Sequence, residues 1–139
     1  MLFRSFVPGR SGCDFLTNLS REDLDIKILT NSFAATDVAA VHSGYVSYRK
    51  ELLSSNIKLF ELKSDSGIRH RLRVLGIRKA SLHTKAFLID KERAFIGSFN
   101  FDPRSAALNT EMGLFFSCPE IAFGMDLLFA EEIDRKSVV

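Results

Sequence analysis

Apolar residues recur at every second position in some segments of this chain and at helical spacing in others. Residues 25–29 alternate as a strand does, whereas residues 38–46 carry apolar side chains three or four positions apart. The predicted strands are 6–9 (a strand end running into a turn), 25–29, 57–62, 82–89, 93–97 and 110–117, and the predicted helices are 11–20, 38–54 and 119–132. Helices separate the first three strands, and the last three strands follow one another directly. This order predicts an α/β sandwich with a mixed sheet.

The length and composition fit one globular domain. Of the 139 residues, 46% are hydrophobic and 26% charged, which argues against disorder. No window reaches the roughly 18 uncharged apolar residues that a membrane-spanning helix needs. Cys13 and Cys118 show no metal-ligand spacing, and a disulfide framework is excluded. One group of aromatic residues in the later strands and the last helix is expected in the core: Phe95, Phe99, Phe101, Phe115, Phe116, Phe123 and Phe129.

The two ends of the chain differ from the rest. Residues 1–5 (MLFRS) and 134–139 (DRKSVV) back-translate to reverse-complementary stretches that match a common sequencing adapter. We therefore expect both ends to be adapter-derived, and the natural sequence to be residues 6–133 of a longer gene, with its motif core at 78–111. The formal net charge of +2 comes wholly from these ends, so it does not argue for nucleic-acid or membrane binding.

The stretch 81–111, SLHTKAFLIDKERAFIGSFNFDPRSAALNTE, carries the chemistry. His83 and Lys85 are two apart on a predicted strand, so both side chains project from the same face. Small and polar residues follow on the neighbouring predicted strand: Gly97, Ser98 and Asn100. An imidazole can act as a nucleophile or as a general acid/base near neutral pH, and the ammonium, hydroxyl and amide suit the charge that develops on a phosphoryl group. This set offers no plausible metal ligation.

These residues form a pattern with fixed spacing. HxKxxxxD is His83, Lys85 and Asp90, GSxN is Gly97, Ser98 and Asn100, and a downstream Asn-x-Glu is Asn109 and Glu111. On this pattern the chain resembles the phospholipase D superfamily. The upstream segments LTNSFAATD, VHSGYVSYRKELL and LFELK are similar to the C-terminal half of bacterial cardiolipin synthases that carry two such motifs. The likeness covers nearly all of residues 6–133.

The resemblance implies a phospholipase D-like α/β sandwich that forms one half of a two-lobed enzyme. It also implies a phosphatidyltransferase or phosphodiesterase that needs no metal and no cofactor. The substrate would be a phospholipid such as phosphatidylglycerol, and the reaction would pass through a phosphohistidine. The N-terminal half of the same enzyme would supply the second imidazole. Such an enzyme would lie against the anionic membrane surface on the cytoplasmic side of a bacterium.

Carried onto this sequence, the resemblance implies a role for each motif residue. His83 would be the general acid/base, and Glu111 would hydrogen-bond its far nitrogen and fix its tautomer. The residues that bind phosphate oxygens would be Lys85, Ser98 and Asn100. Asp90 belongs to the catalytic motif but falls at a predicted turn, so we expect its part to be structural.

Residues around the motif can be explained by a structural role as well as by a functional one. The basic run 69–79 is usually a solvated loop, although beside a phosphodiester site it could equally contact anionic lipid headgroups. Asp102 and Arg104 are expected to form an ion pair or a helix cap. The polar loop at 31–37, with Asn31, Ser32 and Thr36, could line the pocket or simply form a turn.

Two other functions are compatible with the same residues. A phospholipase D-like nuclease or phosphodiesterase with one motif per chain would pair two copies, and the length of this chain suits it. A non-catalytic binding module would not need the motif residues, which are all present here. The upstream LTNSFAATD segment favours the phospholipid enzyme. Nucleic acid is therefore a partner only under the alternative function.

Overall fold

The computed structural model describes residues 1–3, 6–32, 39–62, 85–134 and 137–138. Within these ranges the strands are β1 (Leu2–Phe3), β2 (Lys27–Asn31), β3 (Lys58–Leu62), β4 (Lys85–Ile89), β5 (Arg93–Gly97), β6 (Gly113–Ser117) and β7 (Ser137–Val138). The helices are α1 (Gly9–Arg21), α2 (Ala39–Ser54), α3 (Pro103–Ala107) and α4 (Pro119–Asp134). No helix in these ranges is long and apolar enough to cross a lipid bilayer. His83, Thr36 and the basic run 69–79 lie outside the described residues.

The described strands form one sheet in the order β6-β5-β4-β1-β2-β3-β7. Strands β1, β2 and β3 are parallel, whereas β4, β5 and β6 form an antiparallel meander and β7 pairs antiparallel with β3. Helices connect the parallel strands because a parallel pair needs a long crossover, while a tight turn suffices for the meander. The mixed α/β sheet predicted from the order of elements is confirmed.

The main core lies between one face of the sheet and helices α1 and α2. Its buried members are Phe6, Cys13, Leu16, Ile26, Ile28, Tyr45, Leu52, Ile57 and Leu59. Helix α4 packs against β4 and β5, where Ala94 and Ala122 are fully buried. The strand register carries Ile28 and Ala94 to opposite faces of the sheet. Helices therefore cover both faces, as a sandwich requires.

Two local features differ from the sequence prediction. Residues 103–107, for which no element was predicted, form α3, with Asp102 as its N-cap and Pro103 in its first turn. An Asp-Pro pair is typical of a helix start, so the signal was present. The strand end predicted at 6–9 is only a single bridge between Phe6 and Phe101, because α1 already begins at Gly9.

The terminal segments expected to be adapter-derived pair within the sheet. Leu2–Phe3 lies between β4 and β2, and Ser137–Val138 adds an edge strand to β3. Pairing in the ladder uses main-chain groups and does not bear on the origin of either segment. The domain boundaries at residues 6 and 133 stay predictions.

Apolar side chains are exposed along β6 and α4. Phe115 of β6 is 55% exposed and Phe123 of α4 is 59% exposed, so the prediction that these two rings lie in the core is wrong. The physical reason is position, since β6 is an edge strand of the described sheet. The same two elements expose further large apolar side chains: Leu114, Ile121, Leu127 and Leu128.

Candidate active site

Strands β4, β5 and β6 place motif residues at one edge of the sheet. Lys85, the first residue of β4, pairs with Gly97, the last residue of β5, and Gly97 pairs with Gly113 at the start of β6. Residues paired in an antiparallel ladder share a face. Ser98 and Glu111, which lie just beyond these paired positions in the sequence, are therefore brought to the same edge as Lys85. The Lys85 side chain is buried, with 9% of the residue exposed.

The two glycines allow β5 and β6 to pass beneath an aromatic ring. A Cβ atom at Gly97 would lie 2.6 Å from the carbonyl oxygen of Met112 and 2.7 Å from the ring of Phe95. A Cβ atom at Gly113 would overlap the same ring. Close packing thus requires the glycine of the GSxN motif, quite apart from any chemistry at Ser98.

Hydrogen bonds from both the main chain and the side chain join Ser98 to the segment before β6. Its main-chain nitrogen donates to the carbonyl oxygen of Met112 at 2.8 Å, and its Oγ accepts from the main-chain nitrogen of Met112 at 3.0 Å. The Ser98 hydroxyl donates to Oε2 of Glu111 at 2.5 Å. Among the described residues the Ser98 side chain thus contacts the Glu111 carboxylate, and the phosphate binding that the resemblance implies for Ser98 stays a prediction.

Helix α3 brings a second donor to Glu111. Asp102 caps the helix by accepting from the main-chain nitrogen of Ser105 at 2.9 Å, so the cap expected for Asp102 is present. The main-chain nitrogen of Asn109 donates to the carbonyl oxygen of Arg104 at 3.0 Å. This bond positions the main chain of Asn109, and the side-chain Nδ2 donates to Oε1 of Glu111 at 3.3 Å. Each oxygen of the carboxylate therefore accepts a hydrogen bond.

These neighbours lower the pKa of Glu111 below its ordinary value of 4.5. The hydroxyl of Ser98 contributes most, followed by the neighbouring Ser105 and Asn109, and the positive charge of Lys85 adds to them. All four favour the charged form of the carboxyl group. Glu111 is consequently an ionised carboxylate at neutral pH.

Asn100 lies in the segment between β5 and α3. Its Oδ1 is buried and accepts no hydrogen bond within the described part of the chain. The next residue is anchored, because the carbonyl oxygen of Phe101 accepts from the main-chain nitrogen of Val7 at 2.9 Å and the Phe101 ring lies 5.4 Å from that of Phe6. Buried polar atoms normally have partners, so Asn100 is suited to contact a ligand.

Two residues of the predicted polar loop lie at the same edge of the sheet. Phe3 of β1 pairs with both Thr30 and Lys85, so the carboxyl end of β2 and the start of β4 face the same way. Asn31 ends β2 and is buried, and Ser32 follows it. Ligand-binding residues commonly collect at the carboxyl ends of parallel strands. A role for both in lining the pocket stays a prediction.

Asp90 lies away from this cluster. Strand β4 extends about 13 Å from Lys85 to its far end, and Asp90 follows that end. Asp90 adopts a φ of 53° in the turn to β5. Its carboxylate lies 3.6 Å from Nη2 of Arg93. The structure thus gives Asp90 a place in a turn and an ion pair, and does not bring it to Lys85 as a catalytic contact. His83 lies outside the described residues, and its role stays a prediction.

An open depression of about 330 Å³ adjoins Glu111. The other lining residues are apolar or small: Phe87, Phe95, Phe99, Met112 and Gly113. The rings of Phe87 and Phe95 stack with their centroids 5.0 Å apart. The depression therefore places the Glu111 carboxylate beside an apolar surface.

This chain is similar to a known family and to several known proteins. The family described as "Cardiolipin synthase, PLD-like domain" matches residues 1–133. Cardiolipin synthase C of Escherichia coli (strain K12) is 47% identical over 129 residues, which cover 91% of this chain and 27% of that protein. A cardiolipin synthase of Geobacillus sp. (strain WCH70) is 31% identical over 134 residues, covering 96% and 23%. The chain spans about a quarter of the length of these curated relatives.

Solved structures share the fold at low sequence identity. Nuc from Salmonella typhimurium, described as a phospholipase D family member, has a TM-score of 0.75 at 17% identity and covers 100% of this chain and 79% of its own. NucT from Helicobacter pylori has a TM-score of 0.72 at 15% identity, covering 99% and 79%. The phospholipase D-like α/β sandwich predicted from the motif is thus confirmed. Together with the match over residues 1–133, this shows that the chain belongs to the family of phospholipase D-like domains of cardiolipin synthases.

Proposed function

We propose that this chain carries one of the two catalytic motifs of a cardiolipin synthase-like enzyme that acts on a phospholipid such as phosphatidylglycerol. The observation that carries the proposal is the ionised Glu111 carboxylate, held at both oxygens and placed where the charge of buried Lys85 acts on it. A carboxylate so held can orient an imidazole, and an ammonium can neutralise a phosphoryl group. The 47% identity to a cardiolipin synthase supports the phospholipid as substrate.

The proposed reaction has two steps. First, an imidazole nitrogen from the other motif attacks phosphorus, the bond from phosphorus to the leaving alcohol breaks, and His83 gives a proton to the leaving oxygen. In the second step, His83 removes the proton of the acceptor alcohol, whose oxygen attacks phosphorus and breaks the nitrogen–phosphorus bond. Glu111 would hold the other nitrogen of His83 and so restore the same tautomer after each turnover. The N-terminal half of the same enzyme would provide the nucleophilic imidazole.

Lys85 and Asn100 would bind the phosphate oxygens. The ammonium of Lys85 supplies charge from a buried position, where screening by water is weak. Asn100 would donate from Nδ2 to a phosphate oxygen, because its amide oxygen Oδ1 can only accept. That Oδ1 is buried and has no donor among the described residues. Ser98 donates to Glu111, and we therefore assign it first to holding the carboxylate. Phosphate binding by Ser98 would require its proton to change partner.

The apolar depression beside Glu111 supports an amphiphilic substrate. A phospholipid places a charged phosphodiester within a few bonds of apolar chains, and the depression offers aromatic walls next to Glu111. The basic run 69–79 would add contact with anionic headgroups. On this basis the enzyme would work at the cytoplasmic surface of the bacterial membrane.

A chimera tests the proposal. Residues 6–133 of this chain replace the matching segment of Escherichia coli cardiolipin synthase C, and conversion of phosphatidylglycerol in vesicles to a lipid with two phosphatidyl groups is measured. We expect the chimera to be active and His83→Ala to retain less than about a tenth of its activity, since a positioned imidazole has no substitute. His42→Asn is the matched control and should stay active. A chimera that cleaves DNA but leaves phosphatidylglycerol intact would favour the nuclease alternative.

A further inference from the structure

Helix α3 and the residue two positions beyond it form a hydrogen-bonded path that ends on Glu111. The Ser105 hydroxyl is buried and donates to Oδ2 of Asp102 at 3.4 Å, and its Oγ accepts from Nδ2 of Asn109 at 3.5 Å. The same Nδ2 donates to Oε1 of Glu111 at 3.3 Å. Asp102 and Ser105 belong to neither the HxKxxxxD nor the GSxN pattern, so their place beside the motif depends on the fold of α3.

This path and Ser98 hold different oxygens of the carboxylate. Ser98, at the end of β5, binds Oε2, whereas Asn109, after α3, binds Oε1. The last torsion of a Glu side chain has only broad preferences, so a single hydrogen bond leaves the carboxylate free to turn. Two bonds from separate elements leave it one orientation.

We propose that Asn109 and Ser105 are positioning residues that fix the orientation of the Glu111 carboxylate. The inference rests on the proposed function, in which Glu111 orients the imidazole of His83. Asn109 acts directly on Oε1, and Ser105 acts by holding the Asn109 amide.

The first test measures the titration midpoint of the Glu111 carboxyl in the 139-residue chain by carbon-13 NMR. Asn109→Ala removes the donor, and we expect the midpoint to rise by about half a pH unit. Asn109→Asp keeps the shape of the side chain but puts a second carboxylate beside Glu111. The Glu111 midpoint should therefore rise further than in Asn109→Ala. Asn18→Ala, which removes an exposed amide on α1, is the matched control and should leave the midpoint unchanged. An unchanged midpoint in both Asn109 variants overturns the proposal.

Ser105→Ala separates positioning from folding. The α3 cap uses the main-chain nitrogen of Ser105, so this variant keeps the cap while it loses the hydroxyl. We expect the Glu111 midpoint to rise here as well, with the amide spectrum of α3 otherwise retained. A midpoint equal to that of the unmodified chain would remove Ser105 from the proposal.

The second test uses kinetics of the chimera. Asn109→Ala should lower kcat about tenfold with KM nearly unchanged, because Ser98 still holds one oxygen and substrate contacts are intact. The acidic limb of the kcat profile should move to higher pH, in the same direction as the Glu111 midpoint. A loss of stability alone would not move this limb, so an unmoved limb contradicts a positioning role. If the unmodified chimera is inactive, the proposed function fails, and the NMR titration still decides the orientation of Glu111.

Discussion

Burying an ammonium group costs free energy unless an opposite charge or a hydrogen-bond acceptor compensates for the lost water. Lys85, at the start of β4, is only 9% exposed. We expect both Lys85→Ala and Lys85→Arg to lower phosphatidyl transfer by the chimera about a hundredfold. Alanine removes the charge, and the planar guanidinium of arginine cannot occupy the same point. Lys91→Ala is the matched control, since Lys91 lies in the turn at the far end of β4 and pairs with Asp126. Retention of more than a tenth of the activity in Lys85→Arg would contradict this role.

Asn100 allows stability and binding to be separated. Its Oδ1 is buried without a donor among the described residues, so Asn100→Ala removes a polar atom that costs free energy in the folded state. We expect the free energy of unfolding in urea to change by no more than about 0.5 kcal/mol. In the chimera, KM for phosphatidylglycerol should rise about tenfold, because one phosphate contact is lost. A variant that unfolds easily yet binds normally would assign Asn100 to the fold instead.

The lowered pKa of Glu111 makes part of the stability depend on pH. A group whose pKa is lower in the folded than in the unfolded chain stabilises the fold above its unfolded value, here about 4.5, and loses that contribution as the pH falls through the folded value. Other carboxyl groups, such as Asp25 and Glu51, have lowered pKa values too. The contribution of Glu111 must therefore be measured as the difference between the unmodified chain and a Glu111 variant. We expect the unmodified chain to lose more stability than Glu111→Gln when urea unfolding is followed from about pH 6 to pH 3. Equal losses would show that Glu111 is not held as described.

At the scale of the elements, replacement by alanine should have opposite effects on stability at two glycines. Gly97→Ala would drive a methyl group against the Met112 carbonyl and the Phe95 ring, so we expect a loss of about 1–3 kcal/mol in the free energy of unfolding. Gly124 lies within α4 with nothing within 4 Å of its would-be Cβ. Gly124→Ala should therefore stabilise the chain by about 0.5–1 kcal/mol, as alanine favours a helix. Urea denaturation of both variants checks the pair, and a tolerated Gly97→Ala would contradict the close approach of β5 and β6.

The observed bounds of the strands can be compared with those predicted from the sequence. Strand β5 has the predicted bounds, 93–97, because the polar turn at 90–92 precedes it. Strand β6 is shorter than the predicted 110–117, since Glu111 and Met112 make their hydrogen bonds with Ser98 before the ladder of β6 begins. The motif spacing predicted that Lys85 and Ser98 would lie near each other. It could not predict the Asn109 contact, which depends on how α3, a helix of five residues, turns the chain back.

At the scale of the whole molecule, the exposed apolar side chains of β6 and α4 need a partner. Helix α4 carries acidic residues and no Lys or Arg: Glu120, Asp126, Glu131, Glu132 and Asp134. An anionic membrane would repel this charge, so we expect a protein surface to cover Phe115 and Phe123. The rest of a two-motif enzyme is the natural candidate, because the chain spans about a quarter of the length of its curated relatives.

The 139-residue chain alone should therefore be inactive on phospholipid and should self-associate. The proposed reaction needs two imidazoles, one to form the bond to phosphorus and one to protonate the leaving oxygen, and this chain contains a single HxKxxxxD motif. Co-expression with the remaining part of Escherichia coli cardiolipin synthase C should give a one-to-one complex that converts phosphatidylglycerol. Phe115→Ser should weaken that complex, whereas Phe15→Ser, on the exposed face of α1, should not. Light scattering and the vesicle assay measure both properties. A stable dimer of the chain that cleaves DNA without any partner would overturn the phospholipid assignment, because two copies would then supply both imidazoles through a symmetric interface.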